Sequence, residues 1–273
     1  MRAAEWIQIA FFLLFAFAAW RCPLGRQRRL RVTALATLGI AAILAAGFMF
    51  RFVSIRFSSV VRDWLPAALL LVAYWQIGEF FTGPNQSLQA CLAAFDLSFF
   101  ETVHVQPAKV SISAFQGLYM ELAYLMVYPL IPLGLAALYI AGMRYNSDYY
   151  WVVVLLTTYT CFAMTPFMPA LPPRVVVGYE MFEIPPNRIR ALNRWILRRA
   201  SIQAITFPSA HVAASTASAL VLLRLEPRVG LIFLWVALSI AVATVVGGYH
   251  YAADVLLALL IAVVVFVGTL WLR

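Results

Sequence analysis

Pro208-Ser209-Ala210-His211 and Gly248-Tyr249-His250-Tyr251-Ala252-Ala253-Asp254 are two short polar motifs, each opening an apolar stretch. The chain has three histidines, and two of them sit in these motifs. Burying an ionisable group at membrane depth is costly, so such groups mark functional sites by default. His250 and Asp254 stand at i and i+4, which stacks them on one face of a helix. A carboxylate there accepts one imidazole N–H, fixes the tautomer and raises the basicity of the other nitrogen. Ser209 and Ala210 fall in the first turn of a helix, where free amide N–H groups and the positive dipole end suit a phosphate. Pro208, with no N–H to lose, suits the same turn, and His211 lies in it as well. Arg174 follows Leu171-Pro172-Pro173 on rigid backbone, and its guanidinium matches phosphate oxygens. A nucleophile with an orienting acid, a second histidine to protonate a leaving oxygen, an anion-binding helix start and an arginine together suit phosphoryl transfer.

The elements that must position these residues are apolar helices. Hydrophobic residues fill 64% of 273 positions and charged residues 11%, with a mean hydropathy of +0.89. A soluble domain is nearer half apolar and a quarter charged, so the expected fold is an all-α integral membrane protein. Apolar runs at 6–20, 32–50, 64–81, 116–142, 149–168, 208–224, 229–247 and 251–272 predict a bundle of about 6–8 transmembrane helices. The first is short enough to lie at the interface, and the run 116–142 exceeds what a bilayer needs, which predicts tilt or a kink at Pro129 and Pro132. Arg21-Cys22-Pro23 follows the first run in place of a small-residue cleavage site, which reads as an uncleaved helix.

Two further segments predict interfacial amphipathic helices. Leu88, Cys91, Leu92, Phe95 and Phe99 recur at helical spacing within 85–105, with Gln86, Gln89, Asp96 and Glu101 off that stripe. Asn187 to Ile202 places Ile189, Leu192, Trp195 and Ile196 on one face, with Arg188, Arg190, Arg194, Arg198 and Arg199 largely elsewhere, as for a basic helix resting on head groups. The stretch before it carries Pro169, Pro172, Pro173, Pro185 and Pro186 and is expected to be irregular. One membrane domain is expected, with accessory helices over 1–63 and the chemistry-bearing part over 64–273.

Counting helices places Arg174, Ser209, His211, His250 and Asp254 at one membrane face. Glu121, near Tyr119 and Tyr124, is a candidate contact for a head group or an acceptor hydroxyl, as is Tyr249; Glu79 also falls at a helix end. A glutamate at a helix start is equally explained by the helix dipole. His104, in a polar loop without such company, reads as structural. Cys22, Cys91 and Cys161 show neither disulfide nor zinc-site spacing and read as packing residues. The net charge of +9 is almost all arginine, with Lys109 the single lysine. That balance suits anionic head groups, and no basic stretch separable from the membrane flanks argues for nucleic acid.

These residues resemble the type 2 phosphatidate phosphatase superfamily, the histidine-dependent membrane phosphatases and phosphotransferases. Its second motif is Pro-Ser-Gly-His and its third ends in His-x-x-x-Asp. The resemblance spans roughly 64–272, with specific support at 172–174, 208–211 and 247–256. It implies that His250 attacks phosphorus to give a phosphohistidine oriented by Asp254. It further implies that His211 protonates the departing oxygen, and that Ser209 and Arg174 hold the phosphate. It implies no metal and no cofactor, and no carboxylate cluster stands out that would bind one. The expected partner is a membrane lipid carrying a phosphate, with a polyol or lipid hydroxyl as a possible acceptor.

The departures from the family pattern are informative. Phe167 stands where the first motif begins with lysine, Thr244 where the third usually has arginine, and Ala210 where the second has glycine. Two of the three expected cations are therefore missing. A phosphomonoester carries about two negative charges and a diester one, so fewer cations suit a diester. Pro-Pro-Arg, a non-glycine second motif and His-Tyr-x-x-Asp resemble the inositol phosphorylceramide synthase branch and its bacterial relatives, which move a phosphorylated head group between lipids. The expectation is thus a lipid phosphotransferase, with a lipid phosphate phosphatase as the alternative. A non-catalytic lipid transporter or scaffold is the reading from a different class. The positive-inside rule weakly favours a cytoplasmic active face, but only while the arginines of 169–207 are counted. The family resemblance points to the extracytoplasmic face.

Overall fold

The computed structural model describes residues 1–176, 182–202 and 204–271. Among them the chain forms eleven α-helices and no strand: α1 (Ala3–Arg21), α2 (Arg26–Phe48), α3 (Ile55–Gly78), α4 (Gln86–Thr102), α5 (Ala114–Leu125), α6 (Val127–Ile140), α7 (Ser147–Met164), α8 (Arg188–Ala200), α9 (Ala210–Leu225), α10 (Pro227–Val246) and α11 (Ala252–Trp271). Six of them, α1, α2, α3, α7, α10 and α11, are long and apolar enough to cross a membrane, or up to seven spans if α5 and α6 form one. The protein is an all-α multi-pass membrane protein. At 19 residues α1 is long and apolar enough to span a membrane, and it is longer than the run 6–20 suggests. The expected kink in 116–142 is a break: α5 and α6 meet at 59°. Pro129 lacks an N–H and its ring would strike the carbonyl of Leu125, so α5 ends there and α6 begins with that proline in its first turn.

The 16-residue helix α9 is too short for the spanning test, yet it forms the centre of the bundle, packed against α6, α7, α10 and α11. Its buried face is made of small residues, Ala213, Ala214, Ala217, Ala219, Ser215 and Ser218. Small side chains let neighbouring backbones approach closely where lipid supplies no hydrophobic drive. The helix α3 runs unbroken through residues 63 and 64. Asp63 ties it to Arg2 and Arg144.

Both expected amphipathic helices form, and polar residues off the apolar stripes make up much of their buried faces. In α4 the buried residues are Gln89, Leu92, Asp96 and Phe100, whereas Cys91 and Phe95 are exposed. Gln89 donates to the Leu171 carbonyl at 3.2 Å and accepts from the Leu171 amide at 3.0 Å. Asp96 accepts from the Ala252 amide at 2.8 Å. A helix start buried without partners is costly, so these polar groups face inward to satisfy the backbone around α11 and the 169–171 segment. In α8 the buried residue is Asn193, while Leu192 and Trp195 point outward. Arg190, expected on the head-group face, turns inward to Glu121.

Candidate active site

The start of α9, the turn between α10 and α11, and the segment after α7 converge at one end of the bundle. Gly248 makes that turn possible with φ +67, a left-handed conformation open to glycine. The Thr244 carbonyl closes it, accepting from the amides of Tyr249 at 2.8 Å and His250 at 3.0 Å. The Gly248 carbonyl accepts from the Arg174 amide at 3.0 Å, which fixes the arginine beside the turn. The Ser209 amide donates to the Asp254 carbonyl at 3.2 Å, joining the first turns of α9 and α11.

These ties align a relay of three side chains. Asp254 Oδ2 lies 3.0 Å from His250 Nδ1, and His250 Nε2 lies 3.3 Å from His211 Nδ1. A carboxylate partner assigns the Nδ1 proton to His250 and leaves Nε2 as the lone-pair nitrogen. His211 Nδ1–H is then the donor facing it. Burial, and after it the Arg174 charge, push the His250 imidazole below its ordinary pKa, which keeps it neutral and nucleophilic at pH 7. The His211 ring is boxed edge-on by Tyr124 and Tyr128. Tyr124 stacks on Tyr249 at 3.7 Å between centroids, and the Arg174 guanidinium lies over the other part of that aromatic pair, 5.2 Å from the Tyr249 centroid.

The structure brings His211, His250 and Arg174 to the wall of one small chamber of about 20 Å³, with Tyr249 beside them. The first turn of α9 differs from the expectation of free amides. Pro208 precedes the helix and Ser209 is its N-cap, its hydroxyl accepting from Val212 at 3.5 Å. The Ala210 amide donates to Thr206 Oγ1 at 3.0 Å. The amide expected to meet a phosphate therefore already has an acceptor, and it is Thr206 that faces the chamber, together with Tyr74 and Ser201. Sequence reasoning missed these three because a hydroxyl in a loop or on an apolar helix carries no spacing signal of its own.

Glu121 is buried but does not line that chamber. Its Oε2 accepts from Tyr249 OH at 2.6 Å and Asn193 Nδ2 at 2.8 Å, and Oε1 lies 3.4 Å from Arg190. It fastens α5 to α8 and sets the ring that supports Arg174, in place of the open head-group contact expected for it. Glu79 pairs with Arg31 at 3.6 Å. His104 is an exposed turn residue with φ +56. The positions of the missing cations contain no substitute: Phe167 is 82% exposed, and Thr244 is fully buried with its hydroxyl on the Ala241 carbonyl. Among the described residues no group of three His, Cys, Asp or Glu side chains is placed to hold a metal ion.

The sequence model of the PAP2 superfamily matches residues 104–268, which contain α5 to α10, most of α11 and every member of the relay. No curated protein and no solved structure matches the chain.

Proposed function

The chain belongs to the PAP2 superfamily, and we propose that within it the protein is a lipid phosphotransferase that moves a phosphorylated head group through a phosphohistidine. Membership supports an enzyme of phosphatase or phosphotransferase type. The observation that carries the finer reading is the relay from Asp254 through His250 to His211 beside Arg174, the single cation that lines the chamber among the described residues.

In the first step His250 Nε2 bonds to phosphorus and the ester bond to the departing lipid oxygen breaks. His211, which takes up a proton to become the imidazolium as the anionic phosphate binds, gives that oxygen a proton and is left as the neutral imidazole. In the second step an acceptor hydroxyl passes its proton back to His211 as its oxygen displaces Nε2 from phosphorus. Arg174 neutralises charge on the non-bridging oxygens, where a positioned donor lowers the barrier most. Asp254 holds the Nδ1 proton and so keeps the attacking nitrogen aimed. One guanidinium among neutral hydroxyls matches the single charge of a diester better than the near-double charge of a monoester. We propose that the active end lies at the extracytoplasmic face, a reading supported by the family resemblance alone.

The test uses purified protein in vesicles of defined phosphodiester lipids, with and without inositol or ceramide as acceptor. Products are identified by mass. Transfer products and an acid-labile, denaturation-resistant phosphate on the protein are expected, and His250→Ala should abolish both. Release of inorganic phosphate from phosphatidate as the dominant reaction would replace this reading with a phosphatase. Lipid binding with no product, unaffected by Asp254→Asn, would replace it with a transporter or scaffold.

A further inference from the structure

A second, apolar cavity of about 180 Å³ adjoins the chamber and shares His211, Thr206 and Tyr74 with it. Away from these polar groups its walls are largely hydrocarbon, with Leu70 and Leu71 from α3, Ile131 from α6, Ile196 from α8, and the small Ala67 and Ala214 from α3 and α9. Leu71, Trp75 and Tyr128, which line it, are each exposed by more than a third. The cavity therefore opens sideways between α3 and α6, toward the bilayer. From Tyr74 to Ala67 is seven residues, about 10 Å along a helix axis. That depth is about a third of a hydrocarbon core about 30 Å thick.

A cavity polar at the relay end, apolar along its length and open to lipid matches an amphiphile lying with its phosphate in the chamber. We infer that this cavity is a slot for one hydrocarbon chain of the lipid substrate, with Ala67 and Ala214 setting its depth. The slot borrows a wall from α3, which lies outside the residues that match the superfamily. Tail selection by this protein thus draws in part on a helix outside the residues that match the superfamily. Small residues at the two deep positions leave room that larger ones would fill. The direction of the chain rests on the phosphate lying beside His211, as proposed above, but occupancy of the slot can be read without any turnover.

The experiment uses a phosphatidylinositol with a diazirine at mid-chain, in phosphatidylcholine vesicles, with the cross-linked peptides mapped by mass. Labelling of residues 67–75 and 127–132 is expected. It should persist in His250→Ala, which separates failure of the slot from failure of the phosphohistidine. Ala67→Leu should lower that labelling several-fold, and should reduce kcat/KM for a long-chain donor relative to a short-chain one about tenfold, the loss of a few buried methylenes. Leu71→Ala, which widens the mouth, should move the same ratio the other way and guards against a misfolded first variant. Labelling confined to lipid-facing residues such as Leu133 and Leu238, or a ratio that neither variant moves, would overturn the inference.

Discussion

The two ends of the bundle handle charge in opposite ways. At the end away from the relay, the buried carboxylates of Glu5 and Asp63 each hold arginine. Arg62 lies 2.6 Å from Glu5, and Arg2 and Arg144 lie 2.5 and 2.7 Å from Asp63. Tyr139 also donates to Asp63, and Asp148 accepts the amides of Ala3 and Ala4 at 3.1 and 3.0 Å. These bonds fasten α1, α3, α6 and α7 together. At the relay end, Arg174 rests on an aromatic ring, and among the described residues no carboxylate lies within ion-pair distance of it. A buried charge with protein partners holds the fold, whereas one without them is available to a ligand. The cost of burying the second kind is offset only when an anion arrives.

That contrast predicts a double dissociation. Arg174→Gln should reduce phosphotransfer by about 10²–10³-fold, the usual effect of removing one positioned charge donor. Its thermal unfolding in detergent should match or exceed that of the wild type, because no internal partner is orphaned. A large loss of stability would show that Arg174 belongs to the scaffold.

Asp63→Asn should do the reverse. It leaves Arg2 and Arg144 facing a neutral amide, and since both arginines are partly solvated the destabilisation should be about 2–3 kcal/mol, toward the low end for a broken buried pair. Unfolding curves measure this. Specific activity per folded molecule should stay at the wild-type value, and a drop would mean that the two ends are coupled.

The same contrast explains what was legible in the sequence. His211, His250 and Asp254 could be read because rare residues at fixed spacing open apolar helices, and i, i+4 geometry does not depend on tertiary context. The pairings Asp63–Arg2 and Glu121–Asn193 join residues far apart in sequence, and no periodicity encodes them. The inward faces of α4 and α8 could not be read for a related reason. Apolar stripes report which residues tolerate lipid, whereas Gln89, Asp96, Arg190 and Asn193 are drawn inward by backbone and carboxylate groups supplied by other helices. The free amides expected at Ala210 failed because Thr206, in the preceding loop, reaches back to cap the turn.

Glu121 tests whether the contrast is absolute, because it is a paired carboxylate at the relay end. Glu121→Gln keeps the shape but weakens the tie to Arg190 and changes the acceptor met by Tyr249 OH. A destabilisation of about 1–2 kcal/mol is expected, the range for a perturbed buried hydrogen-bond network. A several-fold fall in kcat should accompany it, since Tyr249 supports Arg174. If stability falls with kcat untouched, Glu121 is scaffold only, and the division between the two ends becomes sharper.

The smallest predicted effect is in the pH profile. Burial and the Arg174 charge both disfavour the His250 imidazolium, so its pKa lies below the ordinary value of about 6.5. The neutral imidazole is the nucleophile, so activity is retained as pH falls through 6.5 and lost only below it. The acid limb of kcat/KM, which reports the free enzyme, should lie on the acid side of 6.5. In Arg174→Gln one of the two causes is gone while burial remains, so the residual activity should show an acid limb displaced upward toward the ordinary value. In Asp63→Asn, at the other end of the bundle, the limb should not move. An unshifted limb in Arg174→Gln would mean that this charge acts on the phosphate without setting the state of the nucleophile.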